Sequence, residues 1–386
     1  MRKYVIVRKP IPAQGDNRTR GVEVLGSGGR SPQFSFERLS AAQAVEASAD
    51  PAVRAVVPAM PTTLIRPKTK AGFEGEQAWG LDAIGARESG FTGRGVTVAV
   101  LDTGIDASHP AFADVELEQR DFSGDGDGDV QGHGTHCAGT IFGRDIEGIR
   151  IGVAPGVSRA LIGKVLNDVG GGDSEMIVEG IQWALAEGAN IISMSLGFDF
   201  PGMVAEWTEE GWPVELATSK ALEAFRVNLR MFDATMNSTR ARGGLGGGAL
   251  VIAAAGNESR REDHPEWRIA ASLPAAAEDV VSVAAVGRNG EDLSVAGFSN
   301  SMAVVSGPGV DIVSAKAGGG LETLSGTSMA CPHVAGIAAL WWEAIKKQNR
   351  SATPTNVRAK LISTARRNLF ARPAEIDIGE GLVTAP

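Results

Sequence analysis

The chain has 386 residues, 43% of them apolar and 22% charged, enough for one large α/β domain plus a small appendage, with a core that needs no disulfide framework. A formal charge of -9 without a basic stripe argues against a nucleic-acid partner, and no run of about 18 apolar residues is present to span a membrane. The two cysteines, Cys137 and Cys331, and an N-terminal stretch, Met1–Lys9, that lacks the apolar segment of a signal peptide predict a cytoplasmic protein with free thiols.

Residues 1–75 read as a separate small α+β domain and linker. Lys3–Val7 has a strand pattern, and Gly21–Leu25 has a weaker one. Ser40 is placed to cap a helix over Ala41–Ser48, which Asp50-Pro51 ends before a strand at Ala52–Val57. Pro58, Pro61 and Pro67, followed by Lys68–Glu76, predict a polar linker. Over residues 76–386 the pattern changes to unbroken apolar runs: Val96–Leu101, Ala160–Leu166, Ile191–Leu196, Leu250–Ala255 and Val280–Val286. Helical stretches such as Glu175–Ala186 and Val214–Met236 lie between them. Strands without alternation, separated by helices, indicate a mostly parallel central sheet covered on both faces. Functional groups then gather at the carboxyl ends of the strands. Asp102 directly follows the first run, and Asn257 follows the fourth by two residues.

Three segments carry chemistry: Val98–Asp106 with Asp102-Thr103-Gly104, Gly132–Thr140 with His133-Gly134-Thr135-His136, and Gly326–Gly336 with Gly326-Thr327-Ser328-Met329-Ala330. Together with Gly152-Val153-Ala154-Pro155, Ser193–Gly197 and Ala253–Asn257, they resemble the active-site blocks of the subtilisin family, in that family's order Asp, His, Ser. The resemblance runs through most of residues 77–386. It implies a three-layer α/β/α fold and a serine endopeptidase acting through an acyl-enzyme. A serine hydroxyl is a poor nucleophile until a base takes its proton. The resemblance assigns that base to His133, its orienting carboxylate to Asp102 and the nucleophile to Ser328. Asn257 then shares the oxyanion hole with the Ser328 backbone N–H at a helix N-terminus. An extended peptide substrate is expected between Ser195-Leu196-Gly197 and Gly170-Gly171-Gly172, with Ala255, Gly256 and Glu258 walling the first specificity pocket beside Ser272-Leu273-Pro274. Asp173 and Ser174 stand where many relatives have an aromatic residue, which makes the P4 pocket less apolar.

Competing readings are weighed on the same residues. Asp102-Thr103-Gly104 matches an aspartic-protease signature, but no second copy exists in the chain. His133 and His136 lack the further ligands of a zinc site, and His136, His109 and His333 read as structural, with His264 solvated. Asp125, Asp127 and Asp129 are spaced as in calcium loops, so calcium is a candidate structural ion; no other cofactor is expected. Cys137 resembles a buried thiol found near the histidine in one branch of the family. Residues 198–248 form an insertion, read either as a surface elaboration or as a lid or docking element beside the cleft. The N-terminal region resembles the inhibitory propeptide of subtilases, one helix being legible and Pro10–Arg20 taking the place of the other, so it reads either as a reduced folding chaperone and inhibitor or as a retained structural cap. As an inhibitor it would be cut between Pro67 and Gln77. A dedicated maturation protease and a non-catalytic peptide-binding scaffold are the alternative functions.

Overall fold

The computed structural model describes residues 1–9, 33–72, 78–243, 248–348, 350–371 and 374–386. Its first part contains β1 (Arg2–Arg8), β2 (Gln33–Leu39), α1 (Ala41–Ser48) and β3 (Val53–Pro58), from which β4 (Pro61–Leu64) and β5 (Thr69–Gly72) lead away. Strands and helices then alternate through α2 (Trp79–Ala83), β6 (Thr97–Asp102), β7 (Glu116–Asp121), α3 (His133–Phe142), β8 (Arg159–Lys164), β9 (Gly171–Asp173), α4 (Ser174–Ala186) and β10 (Ile191–Met194). The insertion follows β11 (Leu196–Phe198) and consists of α5 (Phe200–Glu209) and the long α6 (Val214–Gly243). The chain closes with β12 (Leu250–Ala254), β13 (Val281–Asn289), β14 (Asp292–Val295), β15 (Val305–Pro308), β16 (Ile312–Ala315), β17 (Leu321–Ser325), α7 (Thr327–Lys347) and α8 (Pro354–Ser363).

The central sheet runs β14-β13-β12-β10-β6-β8-β7, with β15 also paired to β13. Only the β13–β14 pair is antiparallel. The unbroken apolar runs are explained by two cores, one on each face. Along β6, Val98 and Val100 pack with α3 and α7, while Ala99 and Leu101 pack with α4 and α6. This is the three-layer α/β/α arrangement that the apolar runs and the resemblance implied.

The first part is a three-stranded antiparallel sheet in the order β2-β1-β3. Ser40 caps α1 as expected: its hydroxyl accepts from the Gln43 amide, and the Gln43 side chain accepts from the Ser40 amide. No residue of α1 is buried. The apolar side chains of this sheet, Val5, Val7, Phe34 and Val57, instead join the core that contains α4, α5 and α6. Strand β2 was not foreseen, because only Phe34 of its seven residues is buried and the apolar signal is correspondingly thin. The expected weak strand Gly21–Leu25 and the Pro10–Arg20 stretch lie outside the described residues. The expected linker needs correction: Thr69–Gly72 form β5, paired to β17 from Glu322↔Gly72 to Ser325↔Thr69. An open strand edge supplied backbone partners that a reading of local polarity could not anticipate.

Two histidines sit in the α3–α7 layer with no access to water. His136 Nε2 meets the Ile312 carbonyl at 3.0 Å and His333 Nδ1 the Met329 carbonyl at 2.8 Å. Burial lowers their pKa values to about 3 and about 4. In the unfolded chain both titrate near 6.5, so unfolding takes up protons below that pH. Their contribution to stability is complete above pH 6.5 and is lost as pH falls toward the folded values, by about 1.4 kcal/mol per pH unit for each histidine. Urea midpoints should therefore fall between pH 7 and 4.5, and a His333→Gln variant should show a shallower slope. Identical slopes would contradict this assignment.

Candidate active site

Asp102 is the last residue of β6, and His133 is the first residue of α3, which starts at Gly132 with a left-handed φ of 86°. Asp102 Oδ1 lies 2.7 Å from His133 Nδ1 and also accepts the Thr103 amide at 2.8 Å. Both side chains are buried. The glycines of the two blocks are there for steric reasons. A Cβ on Gly134 would run into the Gly104 carbonyl, and one on Gly104 into the Gly128 carbonyl. Asp129 ties the blocks together: one carboxylate oxygen accepts the Thr103 hydroxyl and the Gly132 amide, the other the amide and hydroxyl of Thr135. The Thr103 hydroxyl in turn accepts the Gly134 amide at 2.9 Å.

Ser328 lies in the first turn of α7, where backbone N–H groups have no intrahelical acceptor. Asn257, just beyond β12, is held from the same turn. Its Oδ1 accepts both the amide and the hydroxyl of Thr327 at 2.9 Å, so its Nδ2 must face the cleft. There it donates to the Arg66 carbonyl at 3.1 Å. The Ser328 hydroxyl donates to the carbonyls of Ile65, at 3.1 Å, and Ser195, at 3.3 Å. His133 Nε2 is buried, with no hydrogen-bond partner among the described residues. Asp102 and His133 are thus paired as in a triad, while the hydrogen-bond partners of the Ser328 hydroxyl are carbonyl oxygens.

The cause lies in the cleft. Strand β4 fills the gap between β11 and β9, antiparallel to both. Leu64 opposes Leu196 and Thr63 opposes Gly197 on one side, while Thr63 opposes Gly171 and Thr62 opposes Gly172 on the other. The Leu64 amide also donates to the Gly170 carbonyl at 2.8 Å. The two edges named from the sequence therefore face one another across an extended strand, which is the chain's own. Ile65 comes next, its side chain packed beside Gly197 and the Ser272 hydroxyl, and it is almost fully buried. Ser272 donates its amide to the Ala255 carbonyl at 3.1 Å, so this turn adjoins the Ala255–Gly256 wall. Glu258 is exposed, with its carboxylate 2.7 Å from Asn300 Nδ2.

Other expectations resolve by partner and burial. His109 bridges the Gly320 carbonyl and the Ala111 amide, and the exposed His264 has its ring tilted against that of Trp267, with centroids 5.7 Å apart. Burial, reinforced by the Asp102 charge, pushes the Cys137 thiol well above its ordinary pKa, and burial pushes Cys331 to about 11, so neither is a thiolate nucleophile. The loop carboxylates differ in their partners, and Asp129 is turned into the protein. Its four acceptor positions are used by four protein donors, whereas Asp125 accepts the Asp168 amide. Asp121 closes the same loop, accepting amides of Ser123, Gly124 and Gly126. Sequence reasoning missed Thr327, Ile65 and Arg66. The β-branched run Thr62-Thr63 with Leu64-Ile65, ended by Arg66-Pro67, was the one local sign of a strand there.

Comparison with known proteins adds context to this geometry. Residues 93–379 match the Subtilase family, Peptidase_S8. The chain is 37% identical over 254 residues to an "Intracellular serine protease" of Paenibacillus polymyxa, covering 64% of this chain and 67% of that protein. It is 31% identical over 369 residues to the "Thermostable alkaline protease" of Halalkalibacterium halodurans, covering 94% and 86%. To "Subtilisin-like protease 6" of Trichophyton equinum it is 35% identical over 275 residues, 68% of this chain and 57% of the fungal protein.

Replacing Asn257 by Ala should lower kcat about 10²–10³-fold with KM little changed, because the donor acts on charge that develops in the transition state. Thr327→Val, which removes one of the two donors that orient the Asn257 amide and keeps the backbone one, should give a smaller loss of the same kind. A kcat within twofold of wild type for Asn257→Ala would remove Asn257 from the site.

Proposed function

The chain belongs to the subtilase family and is a subtilisin-like serine protease; on that premise we propose how its residues divide the work and what holds them in check. The observation that carries the reading is β4, a peptide strand held between β9 and β11 with its next carbonyl 3.1 Å from Ser328 Oγ. A substrate takes the same place, its backbone paired to Gly170–Gly172 and Ser195–Gly197. His133 accepts the Ser328 proton at Nε2 as the oxygen attacks the scissile carbonyl, while Asp102 keeps the Nδ1–H in place and stabilises the imidazolium. The oxyanion is received by Asn257 Nδ2 and the Ser328 N–H. His133 then returns the proton to the leaving amine, and water hydrolyses the acyl-enzyme. The apolar setting of Ile65 beside Gly197 and Ser272 favours an aliphatic P1 side chain.

In this reading the N-terminal part, about residues 1–75, is an inhibitor of its own enzyme. Attack needs one carbonyl that both meets Ser328 and sits on Asn257. Here the two contacts fall on consecutive carbonyls, Ile65 and Arg66. The strand is bound like a substrate but is out of register with the chemistry, which supports slow self-cleavage and a latent chain. An intracellular setting is supported by the name of the Paenibacillus relative and by two buried, unpaired thiols. Among the described residues, no helix is long and apolar enough to cross a membrane.

Endoproteolysis of an unfolded protein substrate, with cleavage after aliphatic residues, is the expected activity. Ser328→Ala or His133→Ala should each cost about 10⁴-fold or more in kcat, leaving only the contribution of binding and the oxyanion hole. Hydrolysis at the wild-type rate by Ser328→Ala would overturn the assignment. A cleavage profile dominated by basic P1 residues would overturn the specificity.

A further inference from the structure

The insertion meets the chain's first strand through charges. Arg2 pairs with Glu206 at 2.9 Å and with Glu210, and its guanidinium lies 5.7 Å from the centroid of the Trp207 ring. Trp207 is buried and stacks on Trp212. One residue on, Lys3 reaches Asp173 at 2.7 Å and Glu175 at 2.5 Å, at the head of α4. These last three side chains are only 14–22% exposed, against 34–54% for the Arg2 group. Burial alone would pull the Lys3 ammonium down, but its hydrogen bonds and charge pairing with the two carboxylates outweigh burial and raise its pKa. Burial, and after it the neighbouring Glu175 charge, raises Glu179 on the same surface, with Lys3 and Arg120 acting against the shift.

The surface is attached to the cleft. Asp173 is the end residue of β9 that opposes Pro61, and it caps α4 by accepting the Glu175 and Met176 amides. The Asp199 amide, at the start of α5, donates to the Pro61 carbonyl at 3.2 Å. Elsewhere the contact is looser: a gap of about 110 Å³ lies between Val7, Phe34 and Ala55 on one side and Val227 and Arg230 of α6 on the other. Packing is thus incomplete beside α6, away from the ion pairs at Arg2 and Lys3.

We propose that α5 and the head of α4 form a charge-selective anchorage for the chain's own first strand, so that ion pairing governs how firmly β1–β3 stay docked while β4 occupies the cleft. The proposal deepens the inhibitor reading above and rests on it. It gives the insertion a partner, a cationic β-strand end bearing Arg2 and Lys3. Docking should weaken with ionic strength, most at the exposed Arg2 cluster and least at the shielded Lys3 cluster.

Hydrogen exchange on the full chain carrying Ser328→Ala, which cannot cut itself, tests the idea. In a Arg2→Glu, Lys3→Glu double variant, amides of β1 and β3 should exchange about tenfold faster or more at low salt, while Thr62–Leu64 change less. About 1 M salt should shift wild type in the same direction. Adding Glu206→Arg and Glu210→Arg to an Arg2→Glu chain should restore protection, which a mere folding defect would not. Unchanged exchange in the double variant, or no recovery in the swapped chain, would overturn the anchorage. Loss of protection confined to Thr62–Leu64 would count against the inhibitor reading instead.

Discussion

Two unpaired strand edges, β9 and β11, face each other across a gap one strand wide, and everything functional in this protein depends on what fills it. Backbone N–H and C=O groups on such edges must find partners. The chain supplies β4, and the consequences spread outward. Ile65 is carried onto Ser328 and Arg66 onto Asn257. The serine hydroxyl meets carbonyl oxygens, and His133 Nε2 has no hydrogen-bond partner among the described residues. In the proposed inhibitor reading, departure of the strand frees Ser328 to meet that nitrogen. Beyond the serine the chain continues into β5 against β17, so the same segment pairs with the enzyme on both sides of the nucleophile.

The described strands and helix of the first part bear on the same cleft. Among the described residues they are three strands and a helix that buries none of its residues. Val5, Val7, Phe34 and Val57 find their apolar neighbours on α4, α5 and α6. Much of this sheet's apolar burial is thus shared with the helices it covers. Under the proposed inhibitor reading, the gap beside α6 and the charged clusters at Arg2 and Lys3 belong to an interface that is held and later released.

Much of the chemistry was legible because it is local. Asp102-Thr103-Gly104 and His133-Gly134-Thr135 carry their own steric logic, visible in the clash a side chain at Gly104 or Gly134 would make. The parallel sheet was legible because strands buried on both faces need unbroken apolar runs. What escaped was non-local. Strand β4 pairs with residues more than 100 positions away, and a four-residue stretch between prolines carries little periodicity of its own. Asp129 shares the spacing of the loop carboxylates and alone of them resembles a recurring acidic residue ahead of the histidine block, but only the fold shows it turned inward onto Thr103 and Thr135. The role of Thr327 in turning the Asn257 amide depends likewise on a pairing across 70 residues.

The central claim is that the triad is kept idle by the chain's own strand. The rate at which a fluorophosphonate labels Ser328 in the intact chain measures this directly, since labelling requires both an open cleft and a serine activated by His133. Ile65→Asp, which places a charge in the apolar site beside Gly197, should label about tenfold faster or more than wild type, with Ser328→Ala as the blank. Equal rates for wild type and Ile65→Asp would contradict the account.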